Sequence, residues 1–190
     1  MAAIPVRPGK LRHAAAEIER RTVLRVEIIG GVLLMAPPRR GKHAGTVRQL
    51  RERLASRLPT GLGAYESSSV GLPDDEDDYA TPDLLVLPVE WATSDDWLAT
   101  SHGIALAVEV HPGPSHISLI PTKAAWYAVA GVPVLLAVDP RKGEWTLHTH
   151  PRDGEYQGVL HGKYGEPVPL PSPLPAELDT SGLPLYAPRT

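Results

Sequence analysis

Apolar and polar residues first fall into a regular pattern at Leu24-Arg25-Val26-Glu27-Ile28, where they alternate, and Val32-Leu33-Leu34-Met35 follows after Gly30-Gly31. Alternation of period two marks a strand with one buried face, and two such runs split by Gly-Gly predict a β-hairpin. Pro37-Pro38 ends it. Upstream, Pro5, Pro8 and Gly9 predict an irregular tail over residues 1–12, with a short helix about His13 to Arg21. From about His43 to Leu58 the period changes: Val47, Leu50, Leu54 and Leu58 recur at steps of three and four, the spacing of one apolar helical stripe. Pro59 and Gly61 stop that helix. A strand is expected near Ala64 to Val70, then a solvated turn over Asp74-Asp75-Glu76-Asp77-Asp78, which lacks the glycine and ligand spacing of a calcium loop.

Three continuous apolar runs follow: Leu84 to Leu87, Ile104 to Val110 and Val134 to Val138. Strands without polar alternation are buried on both faces, as in a mixed sheet covered by helices. Between the second and third lies a helix of about Pro121 to Ala130, with proline in its first turn and Gly131 at its stop. Strand, helix, strand at this distance is a crossover unit. Trp145 to His150 and Glu155 to Leu160 read as an antiparallel hairpin, on which His148 and His150 are best read as a surface pair without a third ligand. Beyond Gly165, alternate prolines from Pro167 to Pro175 predict an extended cover or tail.

Composition changes this picture little. At 190 residues, with 42% hydrophobic and 22% charged residues, the chain suits one domain with a real core. The absence of cysteine removes disulfides, thiolate catalysis and Cys-based zinc sites, and fits a reducing compartment. No apolar run approaches the roughly 20 residues of a membrane span, and Met1 to Arg12 lacks a signal peptide's apolar core, so a cytoplasmic location with no membrane partner is expected. The net charge of −3 argues against coating nucleic acid by bulk electrostatics, so any basic DNA-facing surface must be local. Arg39, Arg40, Lys42 and Arg48, with Arg51, Arg53 and Arg57 beyond them, are the candidate phosphate contacts.

The chemistry enters at Glu109. It lies among apolar strand residues in Ala107-Val108-Glu109-Val110, where a carboxylate demands a partner. Asp83 opens the neighbouring strand and could share a hard cation such as Mg²⁺ or Mn²⁺ with it. Lys123, in the first turn of the next helix, falls near the strand end that carries Glu109. An ammonium there can stabilise charge on a phosphorane, while a metal lowers the pKa of the attacking water.

The order Pro82-Asp83, Glu109 on an apolar strand and Lys123 on the following helix resembles the PD-(D/E)XK nuclease superfamily. More closely, the chain is similar to the Uma-type family of restriction endonucleases over roughly residues 20–160. The segments that carry the likeness are Glu27 to Pro37, His43 opening a helix, Thr81-Pro82-Asp83, Val108-Glu109-Val110, Lys123 to Pro133 and Val138-Asp139-Pro140. The resemblance implies an α/β fold, a restriction-endonuclease-like mixed β-sheet flanked by helices, with an N-terminal β-hairpin and a proline-rich C-terminal tail. Its boundaries would be 1–22 for the tail and short helix, 23–165 for the nuclease-like domain and 166–190 for the extension. It implies a metal-dependent endodeoxyribonuclease with Asp83 and Glu109 as metal ligands, the Val110 carbonyl as a further one, Lys123 as catalytic lysine and His43 beside the site.

Where this family usually has Leu-Ser-Pro-Ser-Thr and a basic, Asp-containing segment, the chain has His111 to Ile120, with Leu119 at the acidic position. His111 stands where the wider superfamily carries its lysine and could serve as base or extra ligand. DNA is the expected partner, and a homodimer suits an enzyme that cuts both strands. Two alternatives stand beside this reading: a catalytically impaired nuclease-fold module that binds DNA or protein, and a metal-dependent hydrolase of another phosphoester.

Overall fold

The computed structural model describes residues 9–111 and 120–187. Residues 1–8 of the expected irregular tail, and all but the ends of the loop from His111 to Ile120, lie outside the described residues. The rest is a mixed α/β structure of two main sheets and three helices.

Strands β1 (Arg25–Ile29) and β2 (Val32–Ala36) pair antiparallel through Gly30 and Gly31, whose φ angles of 60° and 72° are those of a tight hairpin turn. They form one end of a five-stranded sheet ordered β2-β1-β5-β4-β7, where β4 is Ser69–Gly71, β5 is Tyr79–Ala80 and β7 is Leu98–Ala99. Helix α1 (Lys10–Arg21) packs Ala15 against Val26, Ile28 and Tyr79. It begins before the expected His13, because a distant carboxylate supplies its start: Asp77 accepts hydrogen bonds from Gly9 N and Arg12 N, both at 3.0 Å. Those N–H groups have no partner within the helix, so an acidic group there fixes the terminus.

The acidic run is therefore not simply a solvated turn. Asp74 to Glu76 are exposed, but Asp78 is 2% exposed and accepts from Gly30 N at 2.5 Å, Gly31 N at 2.9 Å and Trp126 Nε1 at 3.0 Å. One carboxylate thus pins the hairpin turn to a helix of the second layer.

The second sheet has six strands in the order β11-β10-β9-β8-β6-β3. Its centre is β6 (Leu84–Pro88), β8 (Leu106–Val110) and β9 (Val134–Asp139). All five residues of β8 are buried. β6 and β8 run antiparallel, β8 and β9 parallel, and α3 (Ile120–Val129) makes the crossover between the last two. Tyr127 is fully buried, with Ala124 and Trp126, against Leu85, Ala107 and Leu135 on one face of the sheet. α2 (Gly41–Ala55) lays Val47, Leu50 and Leu54 against Leu84, Val108 and Leu136 on the other. β10 (Glu144–Arg152) and β11 (Glu155–Lys163) form a long hairpin at one edge. At the other edge lies β3 (Leu62–Tyr65). The single strand expected over Ala64 to Val70 is in fact β3 and β4 in different sheets, with Ser67 in a left-handed conformation (φ 57°) at the break.

The proline-rich C-terminal segment carries a two-stranded pair, β12 (Val168–Pro169) and β13 (Glu177–Leu178). It buries Val168, Leu170, Leu174, Leu178 and Leu183 in the same core as α2. Each fully buried aliphatic side chain contributes roughly 1.5–3 kcal/mol, so this segment belongs to the core energetically. Among the described residues no helix is long and apolar enough to cross a membrane.

Candidate active site

The β6–β8 register pairs Leu84 with Val108, and one step further sets Asp83 opposite Glu109. Directly opposed strand residues have Cβ atoms about 4.5–5.5 Å apart, so the two carboxyls share one face. Both are buried, at 5% and 4% exposed.

Asp83 is held on three sides. Val110 N donates to Oδ2 at 2.8 Å, His43 Nε2 donates to Oδ1 at 2.9 Å, and Arg39 Nη2 lies 3.2 Å from the same oxygen. An ionised carboxylate only accepts, which assigns the imidazole proton to Nε2; among the described residues Nδ1 has no hydrogen-bond partner. Burial alone would push the Asp83 carboxyl up, but the His43 hydrogen bond, the Arg39 charge and the Val110 N–H together hold it down at about 2. It is a permanent anion.

Glu109 has different neighbours. Lys123 Nζ lies 2.5 Å from Oε1, and Tyr127 OH donates to that oxygen at 2.7 Å. Lys123 Nζ also donates to Glu27 Oε1 at 3.0 Å and Oε2 at 3.1 Å. Burial would lower the Lys123 ammonium, but Glu109 and Glu27 raise it above its ordinary value, so it stays charged. Burial raises the Glu109 carboxyl, and although Lys123 pulls it down, the charges of Glu27 and Asp83 add to the rise. Burial, then Glu109, likewise lifts the Tyr127 phenol well above its usual range, so it remains a donor. Three carboxylates thus face two cations in a largely buried cluster, and of the three Glu109 is the one that burial and its neighbouring anions push up.

The structure brings Asp83, Glu109, Lys123 and His43 together and places Val110 at the junction. His111 is buried at the end of β8, its N–H donating to Val138 O at 2.9 Å. Of the basic residues, Arg39 is spent on Asp83 rather than lying open. Arg48 pairs with Glu52, Arg51 with Glu66, and Lys42 donates to Leu185 O. Arg53 and Arg57 donate to carbonyls of Asp179, Ser181 and Glu177, fastening the C-terminal cover, while Arg40 is exposed. His148 leans on the Tyr156 ring at 5.5 Å, and His150 is exposed with φ 57°. A cavity of about 410 Å³ lies around Ile104, Pro133, Val134 and His150, and none of Asp83, Glu109, Lys123 or His43 lines it.

Two participants lie outside the residues that the sequence pattern singles out. Glu27 sits at a polar position of an alternating strand, which reads as a solvent-facing residue; only assembly of the two sheets turns it onto Lys123. Tyr127 reads as packing, yet it is four residues after Lys123 and so shares its helix face, a signal available from spacing alone.

A sequence model of the Uma2 family, described as "Putative restriction endonuclease", matches residues 14–185. The chain belongs to the Uma2 family. This Uma2 chain is also similar in fold to the crystal structure of a "putative nuclease belonging to DUF820" from Anabaena variabilis, with a TM-score of 0.61 and 16% identity over 78% of this chain and 82% of that one. No curated protein matches it.

Proposed function

We propose that this Uma2 protein is a divalent-metal-dependent endonuclease that hydrolyses phosphodiester bonds in DNA. The observation that carries the reading is the pairing of Lys123 with a buried Glu109 set in register opposite Asp83. Among the described residues no cluster of three or more His, Asp or Glu side chains could hold a metal by itself. The donor set is instead two carboxylates, from Asp83 and Glu109, with the Val110 carbonyl. Such hard oxygen donors suit Mg²⁺ or Mn²⁺, which keep several waters and bind phosphate oxygens. The upward push on Glu109 is what a divalent cation would relieve, so the residues fit the ion.

When bound, the ion would lower the pKa of a coordinated water and offset phosphate charge. The chain's own groups do the rest. Lys123 presents a permanently charged ammonium to a phosphorane, and Glu27 and Glu109 hold that ammonium in place. Tyr127 orients Glu109. His43 and Val110 N–H fix Asp83 as an ionised ligand, so no proton need leave it before a cation enters. Arg39 has a planar guanidinium suited to phosphate, and its side chain is 20% exposed where that of Asp83 is 2%, which makes it the group on Asp83 most readily exchanged.

A second reading has one observation in its favour: Asp83 is already neutralised by Arg39, as in a module that keeps the fold without cleaving. Incubation of purified protein with supercoiled plasmid and Mg²⁺ or Mn²⁺ separates the two. Nicking that needs metal and disappears in Asp83→Asn, Glu109→Gln and Lys123→Met supports the nuclease. Retention of full activity in the Glu109 variant defeats it, and DNA binding without cleavage by the parent chain supports the module.

A further inference from the structure

Strand β11 is the outer edge of the six-stranded sheet: it pairs with β10 on one side, and no described strand pairs with the other. Its nine residues, Glu155 to Lys163, contain no proline. Solvent-facing edges in monomeric proteins are usually short, or blunted by prolines, bulges or charges along their length. This one is long, and its middle is apolar, with Val159 50% and Leu160 47% exposed.

The order of charges along the edge selects a partner. Two antiparallel copies of β11 related by a two-fold axis through Val159 set Glu155 opposite Lys163 of the second copy, and Lys163 opposite its Glu155. Gln157 then faces His161, and the two valines meet on the axis. Moving the axis by one residue towards the C-terminus leaves Lys163 opposite Gln157. Moving it by one residue the other way leaves Glu155 opposite His161. Of these three registers, only the one about Val159 sets both acid–base pairs opposite each other.

The rest of the ribbon extends that pattern. Within one chain β10 already places Arg152 beside Glu155 and Glu144 beside Lys163. The joined edges would therefore carry a ladder of alternating sign from Arg152 through Glu155 to the second copy's Lys163 and Glu144. Opposed unlike charges stabilise a strand pair and opposed like charges destabilise it. Lys163 N already donates to Glu166 Oε2 at 2.8 Å and its carbonyl accepts from Glu166 N and Trp145 Nε1, so its part in the pairing would be that of its side-chain charge. Pairing of this kind would give partners to outward N–H and C=O groups between Glu155 and His161 and cover the two exposed apolar residues, as an isologous interface requires.

We infer that the protein forms a homodimer through antiparallel pairing of β11 about Val159, joining the two six-stranded sheets into one.

Sedimentation equilibrium of the full chain across micromolar concentrations tests this. The parent chain is expected to dimerise. Glu155→Lys, which opposes lysine to lysine at both ends, should weaken the dimer roughly tenfold. Lys163→Glu should do the same, and the double variant Glu155→Lys with Lys163→Glu should restore the parental constant, because it reverses each pair without changing the register. Val159→Lys should give a monomer, with thermal unfolding near the parental value since the residue is exposed. A parent chain that stays monomeric overturns the inference, including the case in which a foreign strand occupies the edge. A dimer indifferent to the single charge reversals, or one that the double variant fails to restore, overturns it as well.

Discussion

Replacing Lys123 by methionine removes the cation that lies 2.5 Å from Glu109 and 3.0 Å from Glu27, with side-chain exposures of 10%, 5% and 15% in that order. At an effective dielectric of about 20, each attraction is about 6 kcal/mol before desolvation. Desolvation cancels much of this, but deleting one partner of a buried pair strands the other, and such changes cost about 3–5 kcal/mol. For a chain of this size, that is a fall in Tm of roughly 10 °C. The cost should depend on pH. Without the ammonium, burial and the nearby anions hold the Glu109 carboxyl further above its ordinary value, so the folded variant binds more protons there than the unfolded chain and regains stability as pH falls towards the carboxylate range. Urea unfolding at about pH 7 and again at about pH 5 should show the deficit of Lys123→Met shrinking at the lower pH. Adding Glu109→Gln should recover part of it. A variant within about 1 kcal/mol of the parent at both pH values would refute the claim that Lys123 neutralises this pocket.

Other outcomes follow from the same contacts. Asp78→Ala leaves Gly30 N, Gly31 N and Trp126 Nε1 without their acceptor and should cost about 3 kcal/mol in urea unfolding, with no loss of specific activity in the fraction that remains folded. Asp83, depressed from 3.8 to about 2, contributes stability that is fully present above about pH 4 and is lost as pH falls through 2. The stability difference between the parent and Asp83→Asn should decline by about 2 kcal/mol across that acid window. Arg39→Gln removes the cation that competes for Asp83 Oδ1, so Mn²⁺ should bind several-fold more tightly while DNA cleavage falls roughly tenfold, as measured by metal titration and plasmid nicking.

The central strands and the helices on each face of the second sheet were legible because their signals are local: Leu84 to Leu87 and Ala107 to Val110 are apolar without interruption, and Val47, Leu50 and Leu54 recur at helical steps. Glu109 was legible for the same reason, as a charge where a strand allows none. What stayed hidden depends on contacts between segments far apart in sequence. Asp78 looks like any acid in an acidic turn until the Gly30-Gly31 turn and Trp126 are brought to it. Glu27 looks solvent-facing until the two sheets meet. Arg39 and Arg53 look like free basic charge until Asp83 and the C-terminal carbonyls consume them. The break between β3 and β4 turns on a left-handed Ser67, a conformation for which serine gives little warning.

Calorimetric titration of Mn²⁺ into the metal-free chain tests most directly whether Asp83 and Glu109 share one divalent cation, without any assumption about substrate. Saturable binding at one site that is lost in both Asp83→Asn and Glu109→Gln is the predicted result. A parent chain that takes up no metal, or binding that survives both substitutions, would contradict it.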